Sequence, residues 1–189
     1  MFLLIIFLIC VFITLSIGVL AGLSDIRSMT IPNSYSLYVM GAFVVVYVSL
    51  LIAGQGGVTG SLWSHLLSAG ITFLVTFILF SMRVIGAGDS KFGTACALWI
   101  GVQYLPIYLF FMTLVGGFLG AAALVIKKRK PFKSPVQGGW VDQVQGGADK
   151  VPYGVAICFG MLIAFIYAGY FSPEVLSSFL AQRVVDGGS

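Results

Sequence analysis

The sequence predicts an all-α fold, a polytopic helical membrane protein with six transmembrane helices and both termini on the non-cytoplasmic side. Three observations predict it. Of the 189 residues only 10 are basic and 6 acidic, 8% of the chain, where a soluble domain carries roughly a quarter charged residues. Apolar residues reach 59% and the mean hydropathy is +1.07, more apolar surface than a water-exposed fold can hide. The apolar runs are long and unbroken, unlike the alternating strands of a membrane β-barrel. A soluble globular enzyme and a disordered chain are thereby excluded. The net charge of +4 informs through its placement, and no nucleic-acid partner is expected.

A spanning helix needs about 20 apolar residues. Phe2–Gly22, Tyr35–Ala53, Leu66–Met82, Leu105–Ile126 and Pro152–Phe171 supply five such runs. The first has no Lys or Arg before it and is too long for a signal-peptide core, so it reads as a retained span. Val84–Ile100 is ambiguous because Asp89 and Lys91 lie inside it, and a central charge costs a few kcal/mol on insertion scales. Charge placement resolves it. Arg27, Arg83, Lys91, the run Lys127, Lys128, Arg129, Lys130 and Lys133, and Lys150 fall on one side only if 84–100 crosses the membrane. Basic residues collect in cytoplasmic loops, so that side is cytoplasmic. The expected spans are 2–22, 35–53, 66–82, 84–100, 105–126 and 152–171 in a single domain of residues 1–189, with a cytoplasmic loop at 127–151. Lys127–Lys133 is expected to anchor the topology and touch anionic lipid headgroups.

Within that loop the near-repeats 136–139 and 144–147, each Val-Gln-Gly-Gly, suggest a flexible polar segment. Ser172-Pro173-Glu174 reads as a helix start. Val175, Leu176, Phe179, Leu180 and Val184 then share a face, which predicts an interfacial helix at 173–185. Cys10, Cys96 and Cys158 sit apart in apolar stretches as buried thiols, with no disulfide or zinc pattern. His65, the lone histidine, lies on the opposite side from the basic residues and cannot build a His-based metal site. Gly116, Gly117 and Gly120 fit close helix packing. Most aromatics, Trp63 and Trp99 among them, are expected toward lipid or interface. No metal and no cofactor is expected.

Four of the acids, Asp142, Asp149, Glu174 and Asp186, have ordinary solvated explanations. Asp25 and Asp89 do not. Asp25 follows the first span by three residues, and Asp89 lies about six residues into the fourth, roughly 8–9 Å deep if that part is helical. An ionisable residue at membrane depth signals function by default. Both acids fall at the cytoplasmic face. Two carboxylates brought together at low dielectric do not both ionise cheaply, and the pair shares one proton. One can then act as base on a water while the other polarises a carbonyl. The bland alternative is a set of ion pairs, Asp25 with Arg27 or Arg83 and Asp89 with Lys91.

The surroundings of the two acids form motifs. Asp89 sits in Gly86-Ala87-Gly88-Asp89-Ser90-Lys91, where the glycines permit close approach of an extended peptide. Asp25 opens a D-x-x-x-x-x-I-P-N stretch ending at Ile31-Pro32-Asn33. Lys150-Val151-Pro152-Tyr153-Gly154 opens the last span. With these motifs and six spans, the chain resembles the type IV prepilin peptidases, membrane aspartic proteases that remove the short leader of prepilins at the cytoplasmic face. The resemblance implies a bacterial inner-membrane protein, a catalytic pair of Asp25 and Asp89, and prepilin or pseudopilin substrates whose leader is followed by a long apolar helix. It also implies contact with pilus-assembly machinery. Lys91, Gly86 and Gly88 match the family's lysine and glycines. Arg27, Pro32, Asn33, Pro152 and Tyr153 become candidates for substrate binding or support, with Pro152 and Tyr153 lining the entrance or anchoring the sixth span.

Larger members of that family carry a cytoplasmic insertion with two C-x-x-C pairs and also N-methylate the new terminus. This chain shows neither pair, so methyl transfer is not expected. Its size resembles the short peptidases of Flp/Tad-type pili. Three rival readings remain at this stage. One is a presenilin-like protease cutting within the bilayer, disfavoured because Asp25 lies past its span. The others are a proton-coupled transporter carried by Asp89 and a structural pilus-assembly partner.

Overall fold

The computed structural model describes residues 1–56 and 59–181. Among the described residues eight helices follow one another: α1 (Phe2–Ser28), α2 (Asn33–Ile52), α3 (Leu62–Ser81), α4 (Ala87–Ala97), α5 (Leu105–Arg129), α6 (Trp140–Gln145), α7 (Tyr153–Tyr167) and α8 (Pro173–Ala181). No strand occurs among the described residues. α1, α2, α3 and α5 are each long and apolar enough to cross a membrane. α4, with 11 residues, and α7, with 15, are shorter.

Three boundaries differ from the sequence expectation. No Gly or Pro interrupts 23–28, so α1 runs on through Ser28 and carries Asp25 near its last turn, where Asp25 was expected past the helix. The fourth helix occupies 87–97 instead of 84–100. α3 ends in a reversal in which Arg83 N–H donates to Phe80 O and Val84 N–H to Leu79 O, with Arg83 at φ 61°. This tight C-terminal motif consumes Val84 and Ile85, so Asp89 sits in the first turn of α4 and not six residues deep. The last of the expected spans shrinks to 153–167, ended by Gly169 at φ 73°.

The two short helices form the centre. α4 packs on α2, α3 and α7, and α7 packs on α1, α4 and α5. Phe92, Cys96, Met161, Ala164 and Phe165 are fully enclosed. α3 turns its apolar side chains, such as Phe73, Leu74 and Phe77, outward, and buries His65, Ser68, Thr72 and Thr76. Lipid is as apolar as leucine, so small and polar residues mark the inner face. Of the expected stripe Gly116 makes a close crossing, its added Cβ 3.0 Å from the Tyr153 ring, and other glycines make tighter ones. A Cβ on Gly160 would come within 2.8 Å of Tyr108 O, and one on Gly18 within 2.7 Å of Met161 Cε.

At the end away from the basic residues, α4 stops early and side chains satisfy its carbonyls. Both ring nitrogens of His65 face carbonyls, Nδ1 to Leu98 O at 3.0 Å and Nε2 to Thr59 O at 2.8 Å. Tyr170 Oη donates to Trp99 O, and Trp99 Nε1 donates to Val39 O at 2.9 Å. Trp99 is therefore a core residue and not a lipid-facing one, while Trp63 is exposed. Cys10 and Cys96 are buried free thiols and Cys158 is half-buried. Ser172 caps α8 through its Oγ, and Phe179 rests on Phe7 with ring centroids 5.0 Å apart. α8 thus docks on the start of α1, and Val184 lies outside the described residues.

The 130–150 segment is not the open loop expected from its glycines. Gln145 exchanges two hydrogen bonds with the Phe132 backbone, Asp142 Oδ2 accepts from Gly138 N–H, and Trp140 Nε1 donates to Lys150 O. Val144 of α6 is fully buried. The glycine pairs frame α6, with Gly138 at φ 76° and Gly147 at φ 107°.

Candidate active site

Three local structures converge at one end of the bundle: the last turns of α1, the first turn of α4 and the first turn of α7. Asp25 is 3% exposed, and its Oδ2 accepts the Gly154 N–H of α7 at 2.7 Å. Asp89 Oδ2 accepts the Gly86 N–H at 2.8 Å across the start of α4, where the helix dipole favours an anion. Both acids line one cavity of about 260 Å³, together with Met29, Arg83, Lys150 and Tyr153. They lie within electrostatic reach of each other. Among the described residues the second oxygen of each carboxylate has no hydrogen-bond donor, leaving one free acceptor on each acid.

The ion-pair alternative is not realised. Among the described residues the one salt bridge joins Lys127 and Asp149 at 2.7 Å. A pair of carboxylates in a shared cavity, neither neutralised by a cation, is an arrangement in which one proton is shared. It can position a water, withdraw its proton and protonate a nearby carbonyl oxygen.

The glycines have specific tasks. A Cβ on Gly154 would stand 3.0 Å from Ile31 Cδ1, 3.1 Å from Ala21 O and 3.1 Å from Asp25 Cβ. Only glycine lets α7 come close enough for its N–H to reach Asp25. Gly88 faces Ile31, whose carbonyl would lie 3.2 Å from an added Cβ, so it packs α4 onto the α1–α2 link instead of flanking an incoming peptide. Gly86 is the N-cap of α4 at φ −79°, a conformation open to any residue; its N–H is what the site uses.

Of the other expected residues, Tyr153 lines the cavity. Pro152 and Pro32 precede α7 and α2 as their N-caps, where a fixed φ starts a helix. Lys91 does not reach the acids: its Nζ donates to Asn33 Oδ1 at 3.2 Å, tying the second motif to the first. Arg27 lies elsewhere, beside Phe132, Val136 and Trp140 in a separate cavity. Sequence reasoning missed Gly154 as a ligand of Asp25, although it closed the stretch that drew attention to Pro152 and Tyr153. It also missed Met29, and it offered Arg83 only as an ion-pair partner of Asp25; both border the cavity in left-handed conformations (φ 54° and 61°) that no local composition announces. Asp149 is solvated as expected, at the rim of the cavity, and pairs there with Lys127.

The Lys91–Asn33 link predicts a coupled pair. Lys91→Ala and Asn33→Ala should each lower catalytic turnover, and the double variant should be no worse than the more damaging single one. A double-mutant cycle on the initial rate checks this, and additive losses would show that the bond does not carry the effect.

Residues 2–121 match the model of the type IV leader peptidase family. The chain is 27% identical over 157 residues to the prepilin leader peptidase/N-methyltransferase of Bacillus subtilis, covering 81% of this chain and 53% of that protein. It is 29% identical over 97 residues to the prepilin leader peptidase/N-methyltransferase of Vibrio cholerae serotype O1, covering 50% of this chain and 37% of that protein. The chain thus spans about half the length, or less, of these relatives. No solved structure matches it at a significant level.

Proposed function

The chain belongs to the type IV leader peptidase family, and from that premise we propose that it hydrolyses the leader peptide bond of prepilins with Asp25 and Asp89 as an aspartyl dyad. The observation that carries the reading is the shared cavity, in which two unpaired carboxylates are each held by one backbone N–H. One carboxylate withdraws a proton from a water between them. The resulting hydroxide adds to the scissile carbonyl carbon, while the protonated partner gives its proton to the carbonyl oxygen. Collapse of the tetrahedral species breaks the C–N bond as a carboxyl proton passes to the leaving nitrogen.

The reading places the dyad at the cytoplasmic face of a bacterial inner membrane crossed six times, both termini outside. Its support is that the ends of α1, α3 and α5 and the starts of α4 and α7 meet where Arg27, Arg83, Lys91 and Lys127–Lys133 gather, as cytoplasmic ends do. The same basic run would lie against anionic headgroups. Lys91 and Asn33 hold the two motifs together, Tyr153 borders the substrate entrance, and Arg27 acts at a distance from the acids. A Flp/Tad-type prepilin is the proposed substrate, and pilus-assembly proteins are the proposed partners.

Co-expression with a Flp-type prepilin tests the reading. Leader loss on a gel is expected with the wild type and not with the Asp25→Asn/Asp89→Asn double variant. A prepilin left uncut by the wild type, yet cut by the B. subtilis relative in the same cells, overturns it.

A further inference from the structure

A second cavity, of about 380 Å³, adjoins the dyad. Thr76 and Leu79 of α3 form one side, Gly116, Gly117 and Gly120 of α5 the other, and Ile157 of α7 the floor. Val84, Ile85, Asp89, Val151 and Tyr153 line both cavities, so the groove runs continuously to the carboxylate. Apart from Asp89, its walls are apolar side chains, two threonines and bare backbone.

Packing does not explain all the glycines on its α5 wall. Gly116 has a structural reason, since a Cβ there would lie 3.0 Å from the Tyr153 ring. Gly117 has none: nothing lies within 4 Å of its added Cβ. On Gly120 the nearest atom would be Val151 Cγ2 at an unstrained 3.9 Å. Both adopt ordinary helical backbone, where glycine is less favourable than alanine. The expectation that these two serve packing within the chain is therefore corrected. What they provide is an unfilled wall on which another helix backbone can lie close.

We propose that this groove seats the apolar helical segment that follows the cleaved bond of the substrate. This inference rests on the peptidase reading and extends it to how the substrate is held. The bond at the dyad must be extended to be attacked, and the helix begins just beyond it. Continuity through Asp89 and Tyr153 places the start of that helix between α3 and α5, its backbone against Gly117 and Gly120. The groove walls offer no cation and little polar chemistry, which suits an apolar helix and not the polar leader. The leader then leaves on the other side of the dyad, past Arg83 and Lys150.

Two measurements on the full chain in lipid nanodiscs test this. Gly117→Leu and Gly120→Leu place their Cβ without a clash and extend the rest of the side chain into the groove. They are expected to raise KM for a full-length prepilin by at least tenfold more than for a peptide ending a few residues after the cut, with thermal unfolding unchanged. Equal losses on both substrates, or a wild-type KM for the prepilin, overturn the proposal. A photo-crosslinking residue at position 117 in the Asp25→Asn background, which needs no turnover, is expected to capture the apolar segment of an added prepilin. Capture only of lipid, or only of a second copy of this chain, overturns it. A prepilin captured at position 117 but uncut by the wild type would leave the groove standing and remove the peptidase reading.

Discussion

Asp25→Asn should lower leader cleavage by about 10²–10⁴-fold or more, and Asp89→Asn should do the same, because each would remove one half of the proposed proton-transfer pair. Neither variant should lose its fold. An asparagine oxygen still accepts the Gly154 N–H at position 25 or the Gly86 N–H at position 89. What disappears is the capacity of the enclosed site to carry a negative charge, whose burial opposes folding. The variants should therefore unfold at or above the wild-type temperature, an exchange of activity against stability common at active sites. Initial rates and thermal unfolding of purified protein in detergent check both halves. Normal processing by both single variants would remove the dyad from the mechanism.

Gly154→Ala is expected to damage the site strongly without touching a charge. Its added carbon meets Ile31, Ala21 O and Asp25 Cβ at 3.0–3.1 Å from three sides. Two of the three atoms belong to the carboxylate-bearing helix α1, so α7 has to move away from it. Overpacking of this kind costs about 1–3 kcal/mol. Displacing Asp25 by a fraction of an ångström from its donor should lower kcat by up to about 10²-fold. Gly154→Val should do worse on both counts. An alanine variant with wild-type kcat would show that the amide of residue 154 does not hold Asp25 in place.

Much of the molecule could be read from the sequence because hydropathy and charge placement are coarse signals that survive any detail of packing. The helical class, the four long apolar helices and the prominence of Asp25 and Asp89 came from them. Finer features needed contacts. Whether α4 begins at Val84 or Ala87 depends on Arg83 accepting a left-handed backbone, which no propensity foretells. The inner face of α3 escaped an apolarity rule because its buried residues are His65, Ser68, Thr72 and Thr76. Gly117 and Gly154 look alike in the sequence, yet one faces open space and the other touches Asp25. Only the three-dimensional neighbours separate a glycine that fills a tight contact from one that keeps room. For the same reason Lys91, placed by its motif two residues from Asp89, turned out to serve Asn33.

The brevity of α4 and α7 has a consequence for access to the acids. Helices of 11 and 15 residues measure about 16 and 22 Å, whereas the hydrocarbon core is about 30 Å thick. Both helices sit inside the bundle, α4 against α2, α3 and α7, and α7 against α1, α4 and α5, so neighbouring protein and not lipid makes up most of the shortfall. Both begin beside the two carboxylates, so their missing turns would leave the acids at the foot of a recess walled by the longer helices. A polar peptide and the water that cleaves it would then reach the acids without crossing hydrocarbon.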